Sequence, residues 1–273
     1  MIPTTDETLL PRFREALAGE RLTMMYQPKI ALSDGRLMRV EALVRWEEPD
    51  LGAVSPALFV ALAEEHGLIA DLTGWVLRTA LGQWTAWKAA GLDTCVAVNI
   101  SALSLEKLDF PDFVEEMCRE LDVPADCLVL ELTEGATQPL INLMDTLTRF
   151  RIKGIALALD DFGTGYSSLL QLRHLPFTEV KIDRAFVSDV VTSTDCRLIV
   201  QFMIELARAL GLVTIGEGIE TPAQLRLLRE LGCEIGQGYL ISKALDPGDL
   251  AQWTAEFAES WPNLIAAPDL RPS

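Results

Sequence analysis

Short apolar runs alternate with amphipathic stretches along most of the chain, and this alternation limits the fold more than any other feature. Leu22–Ile30 and Leu37–Trp46 read as strands joined by the turn Ser33-Asp34-Gly35, which predicts an antiparallel hairpin. A helix over Pro56–Glu65 follows. Next, Leu72, Trp75, Val76, Ala80, Trp84 and Trp87 recur at helical spacing, which predicts an amphipathic helix over Asp71–Ala90, ended by Gly91. Strands are then expected over Cys95–Ile100, Leu128–Leu132, Ile155–Leu159, Glu179–Ile182, Val213–Gly216 and Glu234–Ile241. Helices separate them over Phe110–Glu120, Leu140–Phe150, from Tyr166, over Asp195–Leu210 and over Pro222–Glu230. Strands that alternate with helices build a parallel sheet. Roughly eight of them fit closure into an α/β barrel, since single barrels commonly run to about 250 residues. The 273-residue chain then divides into a helical lead-in over 1–19, the barrel over 20–264 and a loose tail over 265–273.

Charge narrows the possible partners. The formal net charge is -17, with 40 acidic residues against 23 Lys and Arg. Duplex binding depends on neutralising phosphates with basic side chains, so a nucleic acid polymer is an unsuitable partner. A small anionic substrate would be repelled by the same field unless cations sat in its site. The five cysteines, Cys95, Cys118, Cys127, Cys196 and Cys233, are odd in number and show no CxxC spacing, which fits a reduced cytoplasmic protein. Met1–Leu10 has no apolar signal segment, and no apolar run reaches the roughly 18 residues of a membrane helix, so no membrane insertion is expected. His66 and His174 are the only histidines, too few for a His-rich zinc site.

The informative polar residues fall near the C-terminal ends of the apolar strands. Glu41 lies late in the second, Asn99 ends Val96-Ala97-Val98, and Glu131 ends Leu128-Val129-Leu130. Asp160 and Asp161 end Ala156-Leu157-Ala158-Leu159, Lys181 and Asp183 flank Ile182, and Glu217 follows Gly216. In a parallel barrel these ends converge on the face that carries active sites. A single acid at a strand end serves equally well as a cap for the next helix. Glu41, Glu131, Asp160, Asp161 and Glu217 together repel one another in a confined space unless cations are bound. Hard oxygen ligands suit Mg²⁺ or Mn²⁺, and two such ions suit phosphodiester cleavage.

The ordered series of motifs resembles the EAL domain family. Glu41-Ala42-Leu43-Val44-Arg45-Trp46, preceded by Tyr26-Gln27-Pro28, matches its signature. Val98-Asn99-Ile100-Ser101, Glu131-Leu132-Thr133-Glu134, Asp160-Asp161-Phe162-Gly163-Thr164-Gly165, Lys181-Ile182-Asp183, Glu217-Gly218-Ile219-Glu220 and Gln237-Gly238-Tyr239 follow in order. The likeness runs from about Leu9 to about Leu245. It implies a modified TIM-like (β/α)8 barrel with an antiparallel first strand, and hydrolysis of cyclic di-GMP to linear pGpG with two Mg²⁺ or Mn²⁺ ions. It implies metal binding by Glu41, Asn99, Glu131, Asp160, Asp161 and Glu217, and catalytic roles for Glu41, Lys181, Glu217 and Gln237. Substrate contacts fall to Gln27, Leu43, Arg45 and Asp183. Coupling of the metal site to a homodimer interface falls to Glu134, Phe162, Gly163, Thr164 and Gly165.

The residues alone leave some roles open. Lys181 also fits a structural ion pair, Arg45 a surface pair with Glu47 or Glu48, and the glycine-rich segment an ordinary turn. On the helix over Asp195–Leu210 the polar stripe Gln201, Glu205 and Arg208 is narrow, which points to a covered face, by a second copy or by the C-terminal segment. A catalytically silent cyclic di-GMP receptor is the competing expectation. Intact ligand positions favour the enzyme.

Overall fold

The computed structural model describes residues 6–19, 21–133, 140–163 and 172–266. Its strands are β1 (Leu22–Ala31), β2 (Leu37–Glu48), β3 (Gly52–Val54), β4 (Cys95–Asn99), β5 (Leu128–Thr133), β6 (Ala156–Phe162), β7 (Glu179–Ile182), β8 (Val213–Gly216) and β9 (Ile235–Gly236). Around them lie α1 (Asp6–Ala18), α2 (Pro56–Glu65), α3 (Ile69–Ala89), α4 (Phe110–Glu120), α5 (Leu140–Ile152), α6 (Arg184–Ser188), α7 (Thr194–Leu210), α8 (Pro222–Leu231) and α9 (Leu250–Ala266).

Eight strands close into a barrel in the order β1-β2-β4-β5-β6-β7-β8-β9, with β3 extending β2 outside the ring. β1 runs antiparallel to both neighbours, with Gln27 opposite Glu41 and Ile30 opposite Gly236. The other ring strands pair in parallel. This is the expected modified barrel, and its hairpin is the one legible in the sequence.

Two apolar regions fill it. The larger lies between the strands and the surrounding helices; Phe13 of α1, for example, packs with its ring centroid 5.3 Å from that of Trp46. The smaller lies inside the ring, where Ala97, Val129 and Ala158 form their own cluster. Such short side chains leave interior volume for longer ones to enter.

Some elements differ from the reading above. The run Glu234–Ile241 contributes only Ile235–Gly236 as strand, because the chain turns at Gly238 against the Ile219 backbone, where a Cβ would lie 2.2 Å away. β3 and the short α6 follow β2 and β7 without a sequence signal strong enough to mark them. Helix α9 was not anticipated, and it continues to Ala266, into the stretch expected to be loose. It buries Leu250, Phe257 and Trp261, and the Trp261 ring lies against Gly35 of the β1–β2 turn. Gly35 has φ +78, and a Cβ there would come within 2.3 Å of that ring.

Candidate active site

The barrel brings the polar strand ends together. Adjacent strands place Glu41 beside Ala97, Asn99 beside Glu131, and Thr133 beside Asp160. Consecutive residues on a strand normally point to opposite faces. Asp160 and Asp161 escape this rule because β6 is irregular between Leu159 and Phe162, and Asp161 takes a left-handed backbone, φ 55. Oxygens of Asp160, Asp161 and Glu217 consequently lie within 4.8 Å of one another, a grouping able to hold a metal ion.

Two lysines thread this group. Lys181 Nζ lies 2.8 Å from Glu131 Oε2, 2.9 Å from Asp160 Oδ2, 2.8 Å from Glu217 Oε1 and 3.9 Å from Glu41 Oε2. Lys29, on β1, is fully buried; its Nζ pairs with Glu131 Oε1 and lies 3.5 Å from Glu41 Oε2. Amides complete the frame. Asn99 Nδ2 donates to Glu41 Oε1 at 2.7 Å, and Gln237 Nε2 donates to Glu41 Oε2 at 2.8 Å and to Gln27 Oε1 at 2.9 Å. Gln27 in turn donates to the Ser242 carbonyl.

The electrostatics divide the acids. Burial works to raise the Glu41 carboxyl, but Lys181, Lys29 and the bonds from Gln237 and Asn99 hold it well below the usual carboxylate range. Glu217 goes the other way. Burial pushes it up to about 8, Lys181 opposes this, and Asp160 and Glu41 add to it. Asp161 is raised to about 6 by burial and by the neighbouring Asp160 and Asp183. Lys181 rises well above its ordinary value because the four carboxylates around it outweigh the cost of burying its charge. Asp161 and Glu217 are thus the acids short of positive charge, where an oxygen-ligated divalent cation would fit.

Other predicted residues fall around the same mouth. Leu43 lines two cavities. One, of about 440 Å³, is lined by Arg45, Pro56, Val60, Ile69 and Asn99. The other, of about 290 Å³, is lined by Gln27, Asp161, Asp183, Glu217 and Gln237. Arg45 donates to the Val44 carbonyl and makes no ion pair with Glu47 or Glu48, while Glu48 pairs instead with Arg21 and Arg12. Asp183 caps α6 by accepting from Ala185 N at 2.8 Å. Phe162 is buried, and Gly163, φ +99, lies against Met203 of α7. Glu134, Thr164 and Gly165 lie outside the described residues. Lys29, and Tyr239, which lines the second of these cavities, were missed as site residues. Lys29 sits in an apolar strand one alternation beyond Gln27, so a period-two reading of β1 could have found it.

A ring of seven parallel strands and the antiparallel β1, with acids and lysines gathered at one mouth, defines a modified TIM-type barrel. The family model for the EAL domain matches residues 11–244, and the chain belongs to that family. The cyclic di-GMP phosphodiesterase PA2567 of Pseudomonas aeruginosa is 40% identical over 248 residues, 90% of this chain and 42% of that protein. The cyclic di-GMP phosphodiesterase NbdA of the same organism is 40% identical over 270 residues, 98% of this chain and 34% of that protein. The chain thus spans less than half the length of these relatives. A solved structure described as the PaMucR phosphodiesterase in complex with c-di-GMP superposes with a TM-score of 0.84 at 38% identity, covering 89% of this chain and 99% of that one.

Proposed function

We propose that this chain hydrolyses cyclic di-GMP to linear pGpG, using Mg²⁺ or Mn²⁺. The observation that carries the reading is the carboxylate cage, whose Glu41, Asp161 and Glu217 line one of two cavities that share Leu43. A cyclic dinucleotide has two bases flanking a phosphodiester, and such a mouth offers a place for each. The phosphodiesterase names of the relatives support the same substrate class.

Glu41, Asn99, Glu131, Asp160, Asp161 and Glu217 would hold the ions. When bound, two divalent cations supply positive charge at the phosphodiester and lower the pKa of water. The chain's own groups do the rest. Asn99 and Gln237 each donate to one oxygen of Glu41 and so fix the plane of its carboxylate. The Gln237 Oε1 atom is buried and accepts no hydrogen bond, which leaves it free to orient a water. Lys181 supplies an ammonium at the same centre. Water adds at phosphorus and the ribose 3′ oxygen leaves with a proton, opening the ring.

Two further proposals go with this one. The homodimer is supported by α7, which exposes Leu198 at 59% and Phe202 at 55% on a helix whose inner residue Met203 packs against Gly163. A cytoplasmic setting is supported by five free thiols, and no helix among the described residues is long and apolar enough to cross a membrane. The decisive experiment is chromatographic detection of pGpG from cyclic di-GMP with Mg²⁺ or Mn²⁺, with EDTA as control. Nucleotide binding without pGpG under either metal would replace the enzyme with a receptor.

A further inference from the structure

Lys29 is the feature that the proposed chemistry does not account for. It enters the barrel interior from β1, opposite Arg39 in register and one layer below the Gln27–Glu41 pair. It is wholly buried, beside a layer otherwise built from Ala97, Val129 and Ala158. An apolar side chain of equal length would fill that space without the cost of burying an ammonium. Its ion pairs are with Glu131 and Glu41.

Lys29 and Lys181 are not equivalent. Lys181 Nζ lies within 2.9 Å of oxygens from Glu131, Asp160 and Glu217, on ground that a bound cation would share. Lys29 approaches Glu131 through the other oxygen, Oε1, from the layer beneath. It therefore sits behind the ligand oxygens, on the side away from Lys181.

The formal charges give this position a purpose. Glu41, Glu131, Asp160, Asp161 and Glu217 supply five negative charges. Two divalent cations and Lys181 supply five positive ones, which balance these acids alone. Asp183, on the lining of the same cavity, adds a sixth negative charge, while Arg184 and Glu220 there offset each other, so a loaded mouth without Lys29 would be anionic. We propose that Lys29 is a counter-charge that keeps the metal-loaded mouth from being anionic, so that a phosphodiester anion binds there despite a chain charge of -17. This inference rests on the two-metal phosphodiesterase reading. The same charge opposes the incoming cations, so the site holds them less tightly than it could.

The test is Lys29→Met, which keeps length and removes charge, beside Lys29→Arg, which keeps charge. Metal-free protein is titrated with Mn²⁺ by calorimetry, thermal midpoints are read with and without Mn²⁺, and kcat and KM are measured on cyclic di-GMP. In Lys29→Met, Mn²⁺ affinity should rise and KM should rise, each by about tenfold, because one full charge has left a buried site. The midpoint should also gain more from Mn²⁺ than in wild type. Lys29→Arg should keep KM near wild type. Weaker or unchanged Mn²⁺ binding, or an unchanged KM beside a lowered midpoint, would reduce Lys29 to a space-filling ion pair and overturn the inference. Should metal-free Lys29→Met not fold, Lys29→Gln purified with Mn²⁺ gives the KM readout. If wild type itself makes no pGpG, the hydrolase reading fails, and the Mn²⁺ titrations still decide the role of Lys29.

Discussion

Replacing Glu217 with Gln should stabilise the metal-free protein, and more so as pH rises. Burial, with Asp160 and Glu41 adding to it and Lys181 opposing, raises this carboxyl from 4.5 to about 8. A carboxyl raised in the folded state holds its proton more tightly there than in the unfolded chain. Its contribution is therefore fully present below the unfolded value of 4.5 and is lost as pH rises through about 8. Each unit is worth about 1.4 kcal/mol, so by pH 7 wild type has lost roughly 3 kcal/mol that a neutral amide keeps. At roughly 2–4 °C per kcal/mol for a domain of this size, the midpoint of Glu217→Gln should exceed wild type by about 6–12 °C at pH 7. Near pH 5 the two should almost coincide. Thermal melts in EDTA across about pH 5 to 8 test this. An offset that stays constant with pH, or a wild type that is the more stable protein at pH 8, refutes the argument. The variant should also make no pGpG, since the repulsion relieved by the amide is what the proposed ions relieve in wild type.

Other consequences can be checked separately. Mn²⁺ at saturating concentration should raise the wild-type midpoint by several degrees, and Asp160→Asn should lose most of that gain together with turnover, because a carboxylate grouped with those of Asp161 and Glu217 is gone. Gly163→Ala should cost about 2 kcal/mol in urea unfolding, since its φ is +99 and a Cβ would lie 2.2 Å from Met203 Cε. Changing Leu198 and Phe202 together to Glu should shift the mass in light scattering toward the monomer, with the thermal midpoint within a few degrees of wild type, because both side chains are more than half exposed in one copy.

The barrel was legible because its signals are periodic and local. Val96-Ala97-Val98-Asn99 and Leu128-Val129-Leu130-Glu131 each announce a buried strand and mark its end by the first polar residue. The same logic found Asp160, Lys181 and Glu217, which converge as expected. What the sequence hid depends on neighbours distant in the chain. Helix α9 is held by packing such as Trp261 on Gly35, a contact across more than two hundred residues that no local pattern encodes. The joint inward aim of Asp160 and Asp161 depends on the register shift in β6 and the left-handed Asp161, neither of which an Asp-Asp pair reveals. Lys29 was passed over for a related reason. A period-two reading puts it on the face of Gln27, but its partners Glu41 and Glu131 come to it through the pairing of strands around the ring.

Ring closure also explains why one mouth can contain a carboxyl held far below its ordinary range and another pushed up to about 8. Glu41 lies where β1 and β2 meet and receives Lys29, Lys181, Asn99 and Gln237 at once. Glu217 stands past the end of β8, where its ion pair is the Lys181 ammonium already shared with Glu131 and Asp160. Strands supply charges in order around the ring, but the lysines reach unequal numbers of them. The shortfall of positive charge therefore collects on the side of β6 and β8, with Asp160, Asp161 and Glu217. That is where an added cation relieves the most repulsion. The half of the cage near β1 is already compensated by the protein itself.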